Sequence, residues 1–233
     1  MTIWPIIPAA GVGSRMQADR PKQYLTLANG LLIDHTLRLL LDHPACQQVV
    51  LALATDDPYW RGSEFSDDAR ILRVAGGQER CHSVLNALNA ILDQAHDDDW
   101  ALVHDVARPC LHHSDIDALL AAAQQHPQGA LLATPTRDTM KRGNSEQCVQ
   151  HTVEREQLWH ALTPQLFPLK ALHQALEQCL AQQLTVTDEC SAMEHMGWQP
   201  RLVEGRSDNI KITRPADLAL AEWFLQQREA PCE

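Results

Sequence analysis

Short apolar runs recur along the chain, and between them apolar positions fall three and four residues apart. Ile3 to Ile7, QQVVLALA near 47–54, RILRVAGG near 70–77, DWALVHD near 99–105 and GALLATP near 129–135 read as buried strands. Val84, Leu88, Ile91 and Ala95 recur at spacings of four, three and four, the signature of one helix face. A second helix is expected from Ser114, with Asp117 three residues on as the partner of a capping box and Leu119, Leu120 and Ala123 behind it. A last helix is expected to start near Pro215, a residue suited to a first turn, and to turn Leu218, Ala221 and Leu225 inward. Strands alternating with helices predict βαβ units: an α/β fold, mainly parallel sheet with helices on both faces.

One stretch breaks the alternation. From Pro135 to Glu156 the chain reads PTRDTMKRGNSEQCVQHTVERE, polar and without a helical face, although CVQHTVE alternates as a strand does. Gly143-Asn144 in its middle predicts a turn and hence a two-stranded ribbon. A lone ribbon is marginal in water, so it must pack on the parent domain as a flap or on a second subunit.

Composition narrows the class. The 233 residues, 45% of them hydrophobic, suit a single domain spanning 1–233 with the 135–156 ribbon as an arm. No run approaches the roughly 18–20 apolar residues of a membrane span, and no basic-then-apolar leader opens the chain, which reads as cytoplasmic and without a membrane role. Seven scattered cysteines without C-x-x-C read as reduced thiols, not a disulfide framework. Twelve histidines include no H-E-x-x-H, and the adjacent His112 and His113 should point apart. A formal net charge of −11 disfavours nucleic acid as a partner, so any bound anion must meet locally clustered Lys and Arg.

The unusual residues fall after the strands, where open α/β sheets bind ligands. The first strand runs into IIPAAGVGSRM, a small-residue loop whose backbone N–H groups suit an anion. Met16 stands where both G-x-G-x-x-G and the P-loop need glycine, so neither fingerprint fits. Arg15 and Lys22 supply charge instead, which points to a polyphosphate; a merely tight turn at Gly11 and Gly13 fits the loop equally well. In VHDVARP, Asp105 suits Mg²⁺ or a ribose hydroxyl and Arg108 suits phosphate, while an Asp–Arg pair fastening a loop explains them as readily. In VEGRSDNIKIT, Asp208 is a second candidate carboxylate, and Lys211 in a strand-like NIKIT would project opposite Ile210 and Ile212, as a solvated edge lysine also would. TVTDECSA reads first as a capping box, Thr185 with Asp188.

Taken together, PAAGVGSRM, PKQY, GGQER followed by Ser83, VHDVARP, RDTMK, LTPQ, TDE and EGRSDNIKIT resemble, in order and over nearly the whole chain, the 2-C-methyl-D-erythritol 4-phosphate cytidylyltransferases of the non-mevalonate isoprenoid pathway. The resemblance implies a Rossmann-like nucleotidyltransferase fold with a projecting β-arm that makes a homodimer. It implies transfer of a cytidylyl group from CTP to methylerythritol phosphate, with Mg²⁺. By the same resemblance, Arg15, Lys22 and Lys211 are the catalytic cations; Ala9, Ala10, Gly11, Gly13, Gly77, Ser83 and Asp105 hold the nucleotide; Asp105, Arg108, Thr139, Arg155, Thr187 and Lys211 hold the acceptor, Thr139 and Arg155 reaching it from the partner subunit. Asp105 and Asp208 are the metal candidates. Two residues depart from the family pattern: Gln78 replaces an expected acid after the glycine pair, and Val106 replaces a smaller alanine. Competing readings are a nucleotidyltransferase for ribitol phosphate or a hexose 1-phosphate, and a catalytically idle CTP-binding regulator.

Overall fold

The computed structural model describes residues 2–11, 13, 16 and 18–229. A seven-stranded sheet forms its centre. In chain order the strands and helices are β1 (Ile3–Pro8), β2 (Thr26–Leu27), β3 (Gly30–Leu31), α1 (Leu32–Leu41), β4 (Val49–Leu53), β5 (Ile71–Ala75), α2 (Arg80–Ile91), β6 (Trp100–Val103), α3 (His113–Gln125), β7 (Ala130–Pro135), β8 (Met140–Gly143), β9 (Val149–Val153), β10 (Trp159–Pro168), α4 (Leu169–Ala181), α5 (Glu189–His195), β11 (Arg201–Glu204) and α6 (Pro215–Glu229). The sheet order is β11-β7-β10-β6-β1-β4-β5. Every pairing in it is parallel except those of β10, which runs antiparallel to both β6 and β7.

The apolar runs become strands because both faces of the sheet are covered, which demands near-continuous hydrophobicity rather than strict alternation. All five residues of β4 are buried: Val49, Leu51 and Leu53 pack with α1, α3 and Ala221 of α6, while Val50 faces the opposite cluster built by α2, α4 and α5. The period of two thus divides one strand between two cores. At the far end of the sheet from the strands' C-termini, Asp99 ties β1 to β6, accepting hydrogen bonds from Thr2 N (2.7 Å), Trp4 Nε1 (3.1 Å) and His96 N (3.1 Å).

Several local expectations shift in register. Helix α3 begins at His113 rather than Ser114, and its reciprocal cap comes from Asp115, whose Oδ2 accepts from His112 N at 3.2 Å. Asp117 is exposed and receives His43 Nε2 at 3.2 Å. The TVTDECSA box moves three residues on: Asp188 is itself the N-cap of α5, accepting from Ser191 N at 2.9 Å, and Thr185 plays no part in the cap. A carboxylate beside the first helical residue satisfies an orphan N–H and meets the helix dipole, which a threonine three residues earlier cannot do. NIKIT joins no sheet; it is an extended segment whose Ile212 N donates to Ala107 O (2.8 Å), with Ile212 buried. Sequence alternation predicts Lys211 opposite both Ile210 and Ile212; Ile212 is buried, but Ile210 lines the same hollow as Lys211, because the segment is not a strand. Strand β10 has no counterpart in the sequence reading, because Pro164 interrupts it; its pairing with β7 shifts between Ala161 and Gln165.

The misfit stretch is a ribbon, β8 paired antiparallel with β9. Asn144 closes it: its backbone N–H donates to Cys148 O (2.9 Å), and its side-chain oxygen accepts from Glu146 N (3.0 Å) and Cys148 N (2.8 Å). From Lys141 to Thr152 every residue is exposed.

Candidate active site

Strand β1 pairs with β4 on one side and with β6 on the other, so the chain leaves it in opposite directions and opens a crevice beyond the strands' C-terminal ends. Ala9, Ala10 and Gly11 follow β1 there, Gly77 to Arg80 follow β5, and Asp105 to Ala107 follow β6. With Lys22, Gln23, Ser83 and Lys211 they line one cleft. Three separate strand ends thus deliver the sequence candidates to one place.

The glycines have distinct reasons. A Cβ at Gly11 would meet nothing within 4 Å, so this position keeps open space at the cleft mouth. At Gly76 a Cβ would strike that of Ala10 at 2.2 Å, and at Gly77 it would strike that of His82 at 2.3 Å; only glycine lets this loop approach β1 and α2 so closely. Ser83 Oγ accepts from Gly77 N (3.0 Å) and donates to Glu79 O (3.2 Å), fixing the loop against the first turn of α2. Gly13 is not in the cleft lining. It adopts φ +66°, and a Cβ there would lie 2.9 Å from Lys22 Cγ, so it makes room for the lysine stem. Lys22 Nζ donates to Ile212 O at 3.3 Å. Arg15 lies outside the described residues.

Asp105 is the centre of the charge arrangement. Its Oδ1 accepts from Arg80 Nε at 2.8 Å and its Oδ2 lies 2.6 Å from Lys211 Nζ. Burial works against its charge, but Arg80 and Lys211 outweigh burial and hold the carboxyl well below the usual range. Arg80 then turns its fork to Glu189, at 2.6 and 3.0 Å, and that carboxylate is fully buried. A directed chain supports Asp105 from behind: its N–H donates to Thr163 Oγ1 (3.1 Å), Thr163 donates to His104 Nδ1 (3.0 Å), and His104 Nε2 donates to Arg108 O (3.1 Å). Burial pushes His104 down to about 4, so it is neutral at pH 7, as this chain of donors requires.

Arg108 is buried, donates from Nη1 to Asn209 O (2.7 Å), and keeps its Nε 3.9 Å from Asp105 Oδ2 without a hydrogen-bond partner. It lines an adjoining hollow together with Lys211, Thr134, His160 and Arg206, so Lys211 stands at the wall between two cavities. Thr187 is exposed just before α5, its N–H bound to Ser191 Oγ at 3.1 Å. Thr139 and Arg155 sit on the ribbon, exposed; Arg155 donates to Arg137 O and lines neither cavity. Asp208 is not brought to Asp105. It is held by Arg206 (3.0 Å) and His112 (3.2 Å) in a separate hollow against Trp223 and Arg228. His112 and His113 do diverge, the latter binding Leu39 O at 2.9 Å.

Sequence reasoning singled out neither Arg80, Glu189, Gln23, Thr163 nor His104 as site residues. Gln23, 2% exposed, donates to Ala9 O at 2.7 Å and so steadies the loop after β1. Arg80 lay in plain view within GGQER, but its partner is 109 residues away.

A cleft at the switch point of a parallel sheet, walled by lysines and by backbone loops without a third glycine, is the architecture of nucleotidyl transfer rather than of dinucleotide binding. The family model for 2-C-methyl-D-erythritol 4-phosphate cytidylyltransferase (IspD) matches residues 3–227. The chain belongs to this family. The cytidylyltransferase of Pseudomonas putida (strain GB-1) is 56% identical over 225 residues, 96% of this chain and 94% of that one. That of Vibrio vulnificus (strain YJ016) is 53% identical over 224 residues, again 96% and 94%. The crystal structure of the Francisella tularensis enzyme, 38% identical, superimposes with a TM-score of 0.83 over 96% of this chain and all of that one. The fold is therefore the Rossmann-like nucleotidyltransferase fold, and this member is an enzyme of the cytidylyltransferase class.

Proposed function

We propose that this chain transfers the cytidylyl group of CTP to 2-C-methyl-D-erythritol 4-phosphate, giving 4-diphosphocytidyl-2-C-methyl-D-erythritol and pyrophosphate. The observation that carries the reading is the convergence of Lys22 and Lys211 with the open Gly11 loop on one cleft, in a chain of net charge −11. Such local concentration is how an acidic protein binds a polyanion.

A phosphate oxygen of the acceptor attacks the α-phosphorus; the new P–O bond forms as the bond to the β-phosphate oxygen breaks, and pyrophosphate departs. Two anions must meet, so the protein's work is to neutralise, align and stabilise the crowded charge, without a covalent intermediate. Arg15 and Lys22 serve the triphosphate. Lys211, at the wall of both cavities, serves the reacting phosphates. Ala9, Ala10, Gly77 and Ser83 take the base through backbone groups and a hydroxyl, with the exposed Gln78 amide beside them in place of an acid. Buried Val106 lines the cleft and accepts from Thr36 Oγ1 through its backbone carbonyl.

Arg80 and Lys211 take both oxygens of Asp105, so this carboxylate offers Mg²⁺ no free donor, and an ion here would be held chiefly by substrate phosphates and water, as is usual for Mg²⁺. When bound, the ion would neutralise phosphate charge and favour departure of pyrophosphate. Asp208 lies in another hollow, and the Glu79, Cys81 and His82 group on the first turn of α2 offers sulfur and nitrogen that suit softer metals.

Arg108 and Thr187 serve the acceptor from this subunit, and Thr139 with Arg155 serve it from the partner's ribbon in a homodimer. What supports this is an exposed ribbon whose Arg155 side chain donates to the carbonyl of Arg137 on the opposite leg and lines neither cavity of its own chain. The whole chain acts as one nucleotidyltransferase unit. No helix among the described residues can cross a membrane, and five of six described free cysteines are buried thiols, which suits a reducing cytoplasm.

The test is pyrophosphate release with Mg²⁺, scanning CTP, UTP, ATP and GTP against methylerythritol phosphate, ribitol phosphate and hexose 1-phosphates. Turnover confined to CTP with methylerythritol phosphate is expected. Release with another alcohol phosphate would move the specificity, and CTP binding without any release would mark a regulator.

A further inference from the structure

We infer that Arg80 and Glu189 form a positioning pair that sets the reach of Lys211 through Asp105 and ties the nucleotide side of the cleft to the acceptor side. The inference rests on the reaction proposed above.

Arg80 is the first residue of α2, directly after the Gly76–Glu79 loop, and Glu189 is the first residue of α5, directly after Thr187 and the Asp188 cap. Two of the guanidinium's nitrogens are fixed by a bidentate pair with Glu189, at 2.6 and 3.0 Å, on a carboxylate with no solvent exposure. A planar fork so held has no freedom left in its third donor, and Nε therefore points at Asp105 Oδ1, 2.8 Å away. Asp105, anchored on one oxygen by Arg80 and on its backbone by Thr163, presents the other oxygen to Lys211 Nζ at 2.6 Å. The lysine is a flexible stem without a rigid fork, and its ammonium has a defined location only while that oxygen does. Arg80 itself makes no hydrogen bond that reaches Lys211; it acts through Asp105.

Glu189 is in turn built into the acceptor side. Gln165 donates to Asp188 Oδ2 (2.8 Å) and accepts from Cys190 N (2.8 Å), clamping the residues on either side of it to β10. A shift of α5 thus moves Glu189, the fork and Asp105 together. Apolar pairs of similar volume often match a buried ion pair in stability; the feature that the charged pair adds is direction.

The experiment measures kcat and both KM values by pyrophosphate release, with CTP affinity by calorimetry and melting temperature alongside, for wild type, Arg80→Lys, Asp105→Asn, Arg80→Lys/Asp105→Asn and Arg80→Met/Glu189→Leu. The last variant removes both charges together and avoids stranding the buried Glu189 carboxylate, while Asp105 keeps its contact with Lys211. It is expected to fold, to bind CTP within about threefold of wild type, and to lose about 10- to 100-fold in kcat, the size of effect that misplacement of a reacting group produces. Arg80→Lys keeps the charge without the fork and is expected to fall between. In the Asp105→Asn background Arg80→Lys should cost nothing further, since both changes break the same link. A merely structural pair would lower the melting temperature and leave kcat per folded site unchanged. Turnover of Arg80→Met/Glu189→Leu within twofold of wild type, or multiplicative losses for Arg80→Lys and Asp105→Asn, would overturn the inference; should the apolar pair not fold, the Arg80→Lys cycle decides alone. A wild type that releases no pyrophosphate would instead refute the reaction, a separate and visible outcome.

Discussion

The cleft and the ribbon are built on opposite principles. In the cleft, polar side chains are buried, paired and aimed: Asp105, Arg108, Gln23, His104 and Glu189 are each less than a tenth exposed, and each is held by a partner distant in sequence. On the ribbon the strands bond only to each other in a small sheet of their own, Val149 is 65% exposed, and the exposed Arg155 donates to Arg137 O. Buried groups held by hydrogen bonds keep fixed directions, whereas exposed ones are solvated and individually worth little. The contrast is what the proposed division of labour requires: a cleft whose groups one chain holds by itself, and an exposed ribbon that makes no such set of contacts within its own chain. In the proposed dimer an exposed arginine such as Arg155 would gain its value when an anion takes it out of water.

The sharpest break of this comparison is at the cleft. Lys22→Met should keep the fold and lower kcat by two or more orders of magnitude, because one transition-state donor is worth roughly 3–4 kcal/mol. Near-normal turnover in a folded variant would remove Lys22 from the chemistry. On the ribbon, Arg155→Ala should raise KM for the acceptor by about tenfold, in line with roughly 1.5–3 kcal/mol for a charge-assisted hydrogen bond, with CTP affinity unchanged. Loss of CTP affinity alone would reverse the assignment.

The scaffold beneath the cleft has its own acid signature. Burial raises the Asp99 carboxyl, but donors from Thr2, Trp4 and His96 outweigh it and bring the pKa down to about 2. A depressed folded pKa means stability that is present above the unfolded value near 4 and lost as pH falls from there to about 2. The loss is roughly 2 kcal/mol, measurable by urea unfolding at stepped pH, and Asp99→Asn should flatten it. The smallest effect belongs to the ribbon tip: Val149→Thr should change stability by about 0.5 kcal/mol or less.

Much of this was legible in the sequence, and for physical reasons. Buried parallel strands must be apolar, so runs such as Val49–Leu53 and Ala101–Val103 announce themselves, and a polar stretch with a Gly-Asn turn cannot be core. Ala9 to Gly11, Lys22, Gly77, Ser83, Asp105 and Lys211 were named from motifs and do line one cleft. What the sequence hid is what depends on long-range pairing. Strand β10 is broken by Pro164, the Asp188 cap was mistaken for the far half of a box starting at Thr185, and Arg80 makes sense only once Glu189 lies against it. Asp208 shows the reverse error: its motif resembles that of Asp105, yet Arg206 and His112 hold it in a different hollow.

The most direct test of the division of labour between cleft and ribbon is complementation. Lys22→Met and Arg155→Ala proteins, each impaired, are mixed, allowed to exchange subunits, and assayed for pyrophosphate release at low acceptor concentration. Recovery to about a quarter of wild-type activity is expected, since half of randomly mixed dimers are mixed and each then joins one intact cleft to one intact ribbon. Activity that stays at the average of the two separate variants after exchange would contradict the account, because every cleft would then be served by its own chain.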